Sequence, residues 1–302
     1  MPQWISVRGP QSASAPVLLF LHGGPGGAEY GPRRKYLRSL EQDWLVVDWD
    51  QRGAGRSFRG DETASTLSLD RLVDDANELV GWLCRETGRE KVTVVGHSFG
   101  TVLGVLLAQR APERLAAYVG TAQVVNWALQ EERSYDWTLA EARRRGHSKA
   151  VAALETLGRP AQGAYAVGVS GVEVQRRWLG TFGGVSADPR FLMRWALSIL
   201  TCGSYPLRAK LRFTKGMARS MELIWPELGR RIDFARDVPR LDVPVFVFAG
   251  RTDHITDLAQ IEGWFAALQA PAKRLEIVDQ AGHLNLFEAP ERFRAFLEST
   301  RQ

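Results

Sequence analysis

Along the first 120 residues, short apolar runs end in glycine or polar turns. Val17-Leu18-Leu19-Phe20-Leu21 runs into glycines, Trp44-Leu45-Val46-Val47-Asp48-Trp49 into Asp50-Gln51-Arg52-Gly53, and Val92-Thr93-Val94-Val95 into Gly96. Runs of this length, bounded by turn residues and rich in β-branched side chains, predict buried strands. Between the second and third, Leu69, Leu72, Val73, Ala76, Leu79, Val80 and Leu83 recur at helical spacing, so 69–86 is predicted as a helix whose buried face extends toward Cys84. Alternating strands and helices predict a mostly parallel α/β sheet, with chemistry in the loops at the carboxyl ends of its strands.

After Leu115 to Gly120 the alternation stops, and 126–238 reads as helices rich in arginine and tryptophan. Strands resume at Val243-Pro244-Val245-Phe246-Val247-Phe248-Ala249-Gly250 and Arg274-Leu275-Glu276-Ile277-Val278, and a last helix starts near Pro290. The pattern predicts one α/β core, 1–125 and 239–302, interrupted by a helical insertion, 126–238, of a size that fits a lid.

A chain of 302 residues, 45% hydrophobic and 24% charged, has the composition of an ordinary soluble globular protein. Its longest apolar runs fall short of the roughly 18 to 20 residues that a membrane-spanning helix needs, so no membrane span is expected. The opening Met1-Pro2-Gln3-Trp4-Ile5-Ser6-Val7-Arg8 lacks the features of a secretory signal, and a cytoplasmic location is expected. Cys84 and Cys202 lie far apart without CxxC spacing, which points to neither a disulfide framework nor a zinc site. The net charge of +5 is unevenly spread: residues 126–240 hold 19 Lys and Arg against 11 Asp and Glu, and the remainder 20 against 23. The basicity belongs to the insertion and forms no dense, aromatic-interleaved cluster, so no nucleic-acid partner is expected.

Gly96-His97-Ser98-Phe99-Gly100 follows a predicted strand and precedes the helical run Thr101 to Ala108. A G-x-S-x-G in that context predicts a nucleophile elbow, with the Ser98 hydroxyl exposed at a helix amino end. A serine hydroxyl needs a base. Of the five histidines, His283 follows the last strand and precedes the last helix, and the chain order Ser…Asp…His selects it over His22, His97, His147 and His254. The loop after the preceding strand, Gly250-Arg251-Thr252-Asp253-His254, offers Asp253 to orient the imidazole, whereas Asp257 is placed to cap a helix. In His22-Gly23-Gly24-Pro25-Gly26-Gly27, glycines allow a backbone N–H to approach a substrate oxygen, so Gly24 and Phe99 N–H are the expected oxyanion donors. The G-x-x-x-x-G-K-[ST] pattern of a phosphate loop is absent, and no HExxH or paired-histidine spacing calls for a metal.

These elements, with Asp50-Gln51-Arg52-Gly53-Ala54-Gly55-Arg56-Ser57, resemble the α/β-hydrolase superfamily, and within it the proline iminopeptidase group. The resemblance implies a mostly parallel sheet flanked by helices, a helical cap inserted after the sixth core strand, a serine nucleophile and no cofactor. The match departs at the elbow, where that group typically carries G-G-S-W-G and this chain has His97 and Phe99, a form common among esterases. That group also holds the substrate's α-amino group with cap glutamates, and none of Glu131, Glu132, Glu141, Glu155, Glu173 or Glu222 is matched to that role. Among cap residues, Trp127, Trp178, Trp195 and Glu222 are the expected substrate contacts, together with Gly23 of the glycine loop.

The expectation is a serine hydrolase cleaving an ester or amide bond of a small, largely apolar substrate through an acyl-enzyme. A proline iminopeptidase-like aminopeptidase acting on short peptides, and a non-catalytic ligand-binding protein on the same fold, are the alternatives.

Overall fold

Among the described residues, seven strands form one sheet in the order β1-β3-β2-β4-β5-β6-β7. They are β1 Trp4–Arg8, β2 Val17–Leu21, β3 Leu45–Asp50, β4 Val92–His97, β5 Leu115–Thr121, β6 Val245–Gly250 and β7 Lys273–Val278. Only β1 is antiparallel, pairing Trp4 with Asp50 at the edge of β3; the others run parallel. The computed structural model describes residues 1–10 and 14–301. Every residue of β2, β4 and β6 is buried, as expected for parallel strands covered on both faces.

Helices α1 Tyr30–Tyr36, α2 Leu69–Thr87 and α3 Phe99–Arg110 precede the insertion. The periodic segment forms α2 as expected. Ser68 caps its start by accepting from Arg71 N, and Gly88, at φ 66°, ends it in the left-handed region. Helix α3 buries nearly all of its residues, which fits its place behind β4 in the middle of the sheet.

Between β5 and β6 lie α4 Trp127–Arg144, α5 Ser148–Leu157, α6 Val169–Thr181, α7 Pro189–Leu200, α8 Leu207–Arg231 and the short α9 Phe234–Asp237. The chain leaves the sheet and returns to it at one point: Trp127 N donates to Ile232 O at 3.1 Å, and Phe234 N to Val125 O at 2.8 Å. The insertion therefore follows the fifth described strand, where the expectation placed it after a sixth. The reason lies at the amino terminus, where the described residues before Val17 make a single strand, β1, ended by Gly9 and Pro10. After β6 come α10 Leu258–Ala267, α11 Asn285–Glu288 and α12 Pro290–Glu298.

The larger apolar cluster runs from α2 and α3 through the sheet into the insertion, where Trp127, Tyr135, Leu154, Trp225 and Leu228 are all buried. The other face is covered by Leu37, Phe191, Phe287, Phe293 and Phe296. Among the described residues no helix is long and apolar enough to cross a membrane.

Candidate active site

Ser98 stands between β4 and α3 at φ 52° and ψ −120°, a strained backbone for a residue with a side chain. The turn is possible because the residues two positions away on either side, Gly96 and Gly100, lack one: a Cβ on Gly100 would lie 2.0 Å from the Leu21 carbonyl oxygen. Ser98 alone among residues 92–100 is not fully buried.

His283 Nε2 lies 2.9 Å from Ser98 Oγ, and His283 Nδ1 lies 3.0 Å from Asp253 Oδ2. Residues 185 positions apart in the chain thus meet at hydrogen-bond distance. Asp253 is buried, and its oxygens also accept from Ile255 N, Thr256 N and the Thr256 hydroxyl. Burial would raise its pKa, but the His283 imidazole and the Thr256 donors hold it below the ordinary carboxylate value. Asp257 instead caps α10 through Ala259 N at 3.1 Å and pairs with Arg133.

The glycine loop lies against the nucleophile: a Cβ on Gly23 would stand 3.2 Å from Ser98 Cβ. Gly24 adopts φ +121°, which favours glycine. Neither its N–H nor that of Phe99, the first residue of α3, donates to an acceptor among the described residues.

The other histidines have structural tasks. His22 Nε2 accepts from Gln51 N at 3.2 Å, which joins the glycine loop to the loop after β3, and burial lowers its pKa. His147 caps α5 through Ala150 N, and His254 stacks on Trp137 with ring centroids 3.9 Å apart.

His97 occupies a place that sequence reasoning missed. Its Nδ1 lies 2.7 Å from Glu29 Oε1 and its Nε2 lies 2.9 Å from the main-chain oxygen of His283. Two acceptors facing the two ring nitrogens favour the doubly protonated imidazolium. Burial alone would lower its pKa, yet Glu29, together with the His283 carbonyl, holds it above the ordinary histidine value. The elbow residue beside the serine thereby grips the main chain of the histidine loop. Glu288 grips the same loop from its other side, accepting from Gly282 N at 2.7 Å and, across to the insertion, from Ser186 Oγ at 2.5 Å and Ala187 N at 3.1 Å. His283 N itself donates to Val185 O at 2.8 Å.

The expected cap contacts separate. Trp127 meets Phe99 edge-on, with ring centroids 6.5 Å apart, and so backs the elbow. Trp195 packs on Phe287, whose ring lies edge-on to His97. Trp178 is buried inside the insertion against His147 and Phe182, not over Ser98. Glu222 points to the outer face of α8, paired with Arg219 and 65% exposed, so the expectation that it touches substrate is corrected. Helical spacing leaves the rotation of α8 open, and the side of α8 facing the core is set by Ser220, which sits against Gly26 and Gly53.

The sequence profile of the family described as serine aminopeptidase, S33, matches residues 14–290. A probable aminopeptidase of Bacillus subtilis (strain 168) is 29% identical over 285 residues, covering 92% of this chain and 86% of that protein. Among solved structures, a proline iminopeptidase from Mycobacterium smegmatis superposes with a TM-score of 0.68 at 20% identity, covering 99% of this chain and 94% of that one. An esterase from Rhodococcus sp. ECU1013 superposes with a TM-score of 0.63 at 15% identity, covering 98% and 92%. Peptidase and esterase thus share this α/β-hydrolase architecture, and the fold alone does not choose between them. The match over most of its length makes this chain a hydrolase belonging to the S33 serine aminopeptidase family.

Proposed function

We propose that the chain is a serine hydrolase of esterase or amidase type, with Ser98 as nucleophile, His283 as base and Asp253 as the orienting acid. The observation that carries the reading is the continuous path from Ser98 Oγ to His283 Nε2, and from His283 Nδ1 to Asp253 Oδ2. His283 takes the hydroxyl proton as Ser98 Oγ attacks the carbonyl carbon, and Asp253 stabilises the imidazolium that forms. Gly24 and Phe99 N–H receive the oxyanion. Collapse expels the alcohol or amine with the proton from His283, leaving an acyl-Ser98 ester. Water, deprotonated by the same imidazole, then releases the acid. The segment 126–238 acts as a cap over this site, with Trp127 and Trp195 on its apolar side.

A preference for acyl substrates without a free α-amino group is supported by the state of the insertion's glutamates. Glu131 is buried with Arg176, Glu132 pairs with Arg159, Glu141 with Arg144 and Arg145, and Glu155 with Arg143. Glu222 and Glu227 are likewise held by arginines, and Glu173 is exposed. At most of these carboxylates a substrate ammonium would compete with a guanidinium group already in place. The second reading, an aminopeptidase, is favoured by the family description and by the Bacillus subtilis relative. A panel of short-chain aryl esters and aminoacyl anilides separates the two. Faster turnover of the esters is expected, and cleavage of prolyl anilide well above every ester would reverse the assignment.

A further inference from the structure

The chain's positive surplus concentrates where the insertion meets the loop after β3. Between residues 189 and 221 there are seven Lys and Arg and no Asp or Glu. Part of this segment, Pro206, Arg208 and Arg212 at the start of α8, faces Arg56, Phe58 and Arg59 across an open cleft of about 410 Å³. Four guanidinium groups therefore surround one concavity.

Their grouping without compensation sets them apart. Across the rest of the insertion most arginines are matched to carboxylates, as Arg143, Arg159, Arg176 and Arg231 show. In the cleft, Arg59 has a loose exposed partner in Asp61 at 3.9 Å, whereas the guanidinium groups of Arg56, Arg208 and Arg212 form no ion pair with a carboxylate among the described residues. Arg56 lies over the Trp4 ring, which orients its planar head. Grouped like charges repel, and a polyoxygen anion that accepts from several guanidinium forks at once relieves the repulsion.

Next to these arginines on the same turns of α8, Leu207 is 71% and Leu211 68% exposed, and α7 exposes Met193, Leu197 and Leu200. Protruding aliphatic side chains beside lysine and arginine are the composition of a surface that rests on anionic lipid. A second copy of the chain fits poorly, because a two-fold axis through this face would set the bases against themselves.

We propose that the cleft binds a phosphate group, carried either by a lipid headgroup or by a soluble phosphate compound. This site is separate from Ser98 and stands whether or not Ser98 is the nucleophile.

The test uses the full chain, with sedimentation on phosphatidylcholine vesicles with and without phosphatidylglycerol, and calorimetric titration with inorganic phosphate at constant ionic strength. The Arg208→Ala/Arg212→Ala variant is compared with Lys149→Ala/Arg230→Ala, which removes the same charge from exposed positions elsewhere. Equal melting temperatures and equal ester turnover establish that both remain folded. Binding weakened roughly tenfold or more in the cleft variant, with the control near wild type, is expected. Leu207→Gln/Leu211→Gln distinguishes the sources: loss of vesicle binding with phosphate binding intact assigns a lipid phosphate. Phosphate binding without vesicle binding assigns a soluble one. No binding in either assay, or an equal loss in the control, overturns the proposal.

Discussion

Glu29 and the buried His97 pair at 2.7 Å directly beside the elbow serine, and the far nitrogen of His97 holds the main chain of His283. Removing the carboxylate leaves an imidazolium with no counter-charge. Glu29→Gln is expected to lower the His97 pKa and to cost about 3 kcal/mol at pH 6, in the range for breaking a buried pair. The sign follows from linkage. A histidine whose folded pKa is raised contributes stability that is full below its unfolded value, near 6.5, and lost as pH rises through the folded value. The wild type's advantage over the variant in urea denaturation should therefore be largest at acid pH and shrink with rising pH. A difference independent of pH would contradict the assignment of the imidazolium.

Substitutions along the path from Ser98 to Asp253 should be strongly non-additive. Ser98→Ala and His283→Ala are each expected to lower kcat about a millionfold on a good ester, with the double variant no worse than either. Asp253→Asn should cost about ten-thousandfold, because the imidazole is then held in the wrong tautomer. Single-turnover kinetics on the purified variants measures these effects. Multiplicative losses would show that the three groups do not act together.

Glu288 receives three hydrogen bonds that join the His283 loop to the insertion. Glu288→Ala leaves Gly282 N, Ala187 N and the Ser186 hydroxyl without their acceptor. A loss of about 2 to 3 kcal/mol in unfolding free energy is expected, with kcat falling more than KM rises. A variant as stable as wild type would remove this carboxylate from the support of the site.

Asp50, at the end of β3, accepts from Arg56 N and from Tyr205 Oη at 2.5 Å, which ties the segment between α7 and α8 to the sheet. Burial pushes its carboxyl from 3.8 up to about 7. An acid whose folded pKa is raised favours the native state most when protonated, so this contribution declines as pH rises from about 4 through about 7. Asp50→Asn keeps an acceptor and removes the charge, and a tyrosine hydroxyl can accept as well as donate. The variant should show a flatter dependence of the urea midpoint on pH between 4 and 8, and an unchanged slope would refute the raised value.

The parts legible in the sequence are those encoded locally. The elbow at Gly96 to Gly100, the α2 periodicity and the helix-capping position of Asp257 each need fewer than twenty neighbouring residues to read. Strand β1 was not legible, because Trp4-Ile5-Ser6-Val7-Arg8 pairs only at an edge and is half exposed, so no continuous apolar run marks it. Glu29, Tyr205 and Glu288 escaped because their partners lie 68, 155 and 102 positions away, where no spacing rule reaches. Within the insertion, the helices themselves were readable but their rotations were not. Trp178 and Glu222 were therefore placed at the site on composition, while packing of α6 and α8 turned one inward and the other to solvent.

The central claim, that Ser98 is an activated nucleophile, is tested most directly by a fluorophosphonate probe, with the modified residue mapped by peptide mass spectrometry. One equivalent of label on Ser98, abolished by Ser98→Ala and slowed strongly by His283→Ala, is the predicted result. An unlabelled Ser98, or label retained in Ser98→Ala, would contradict it.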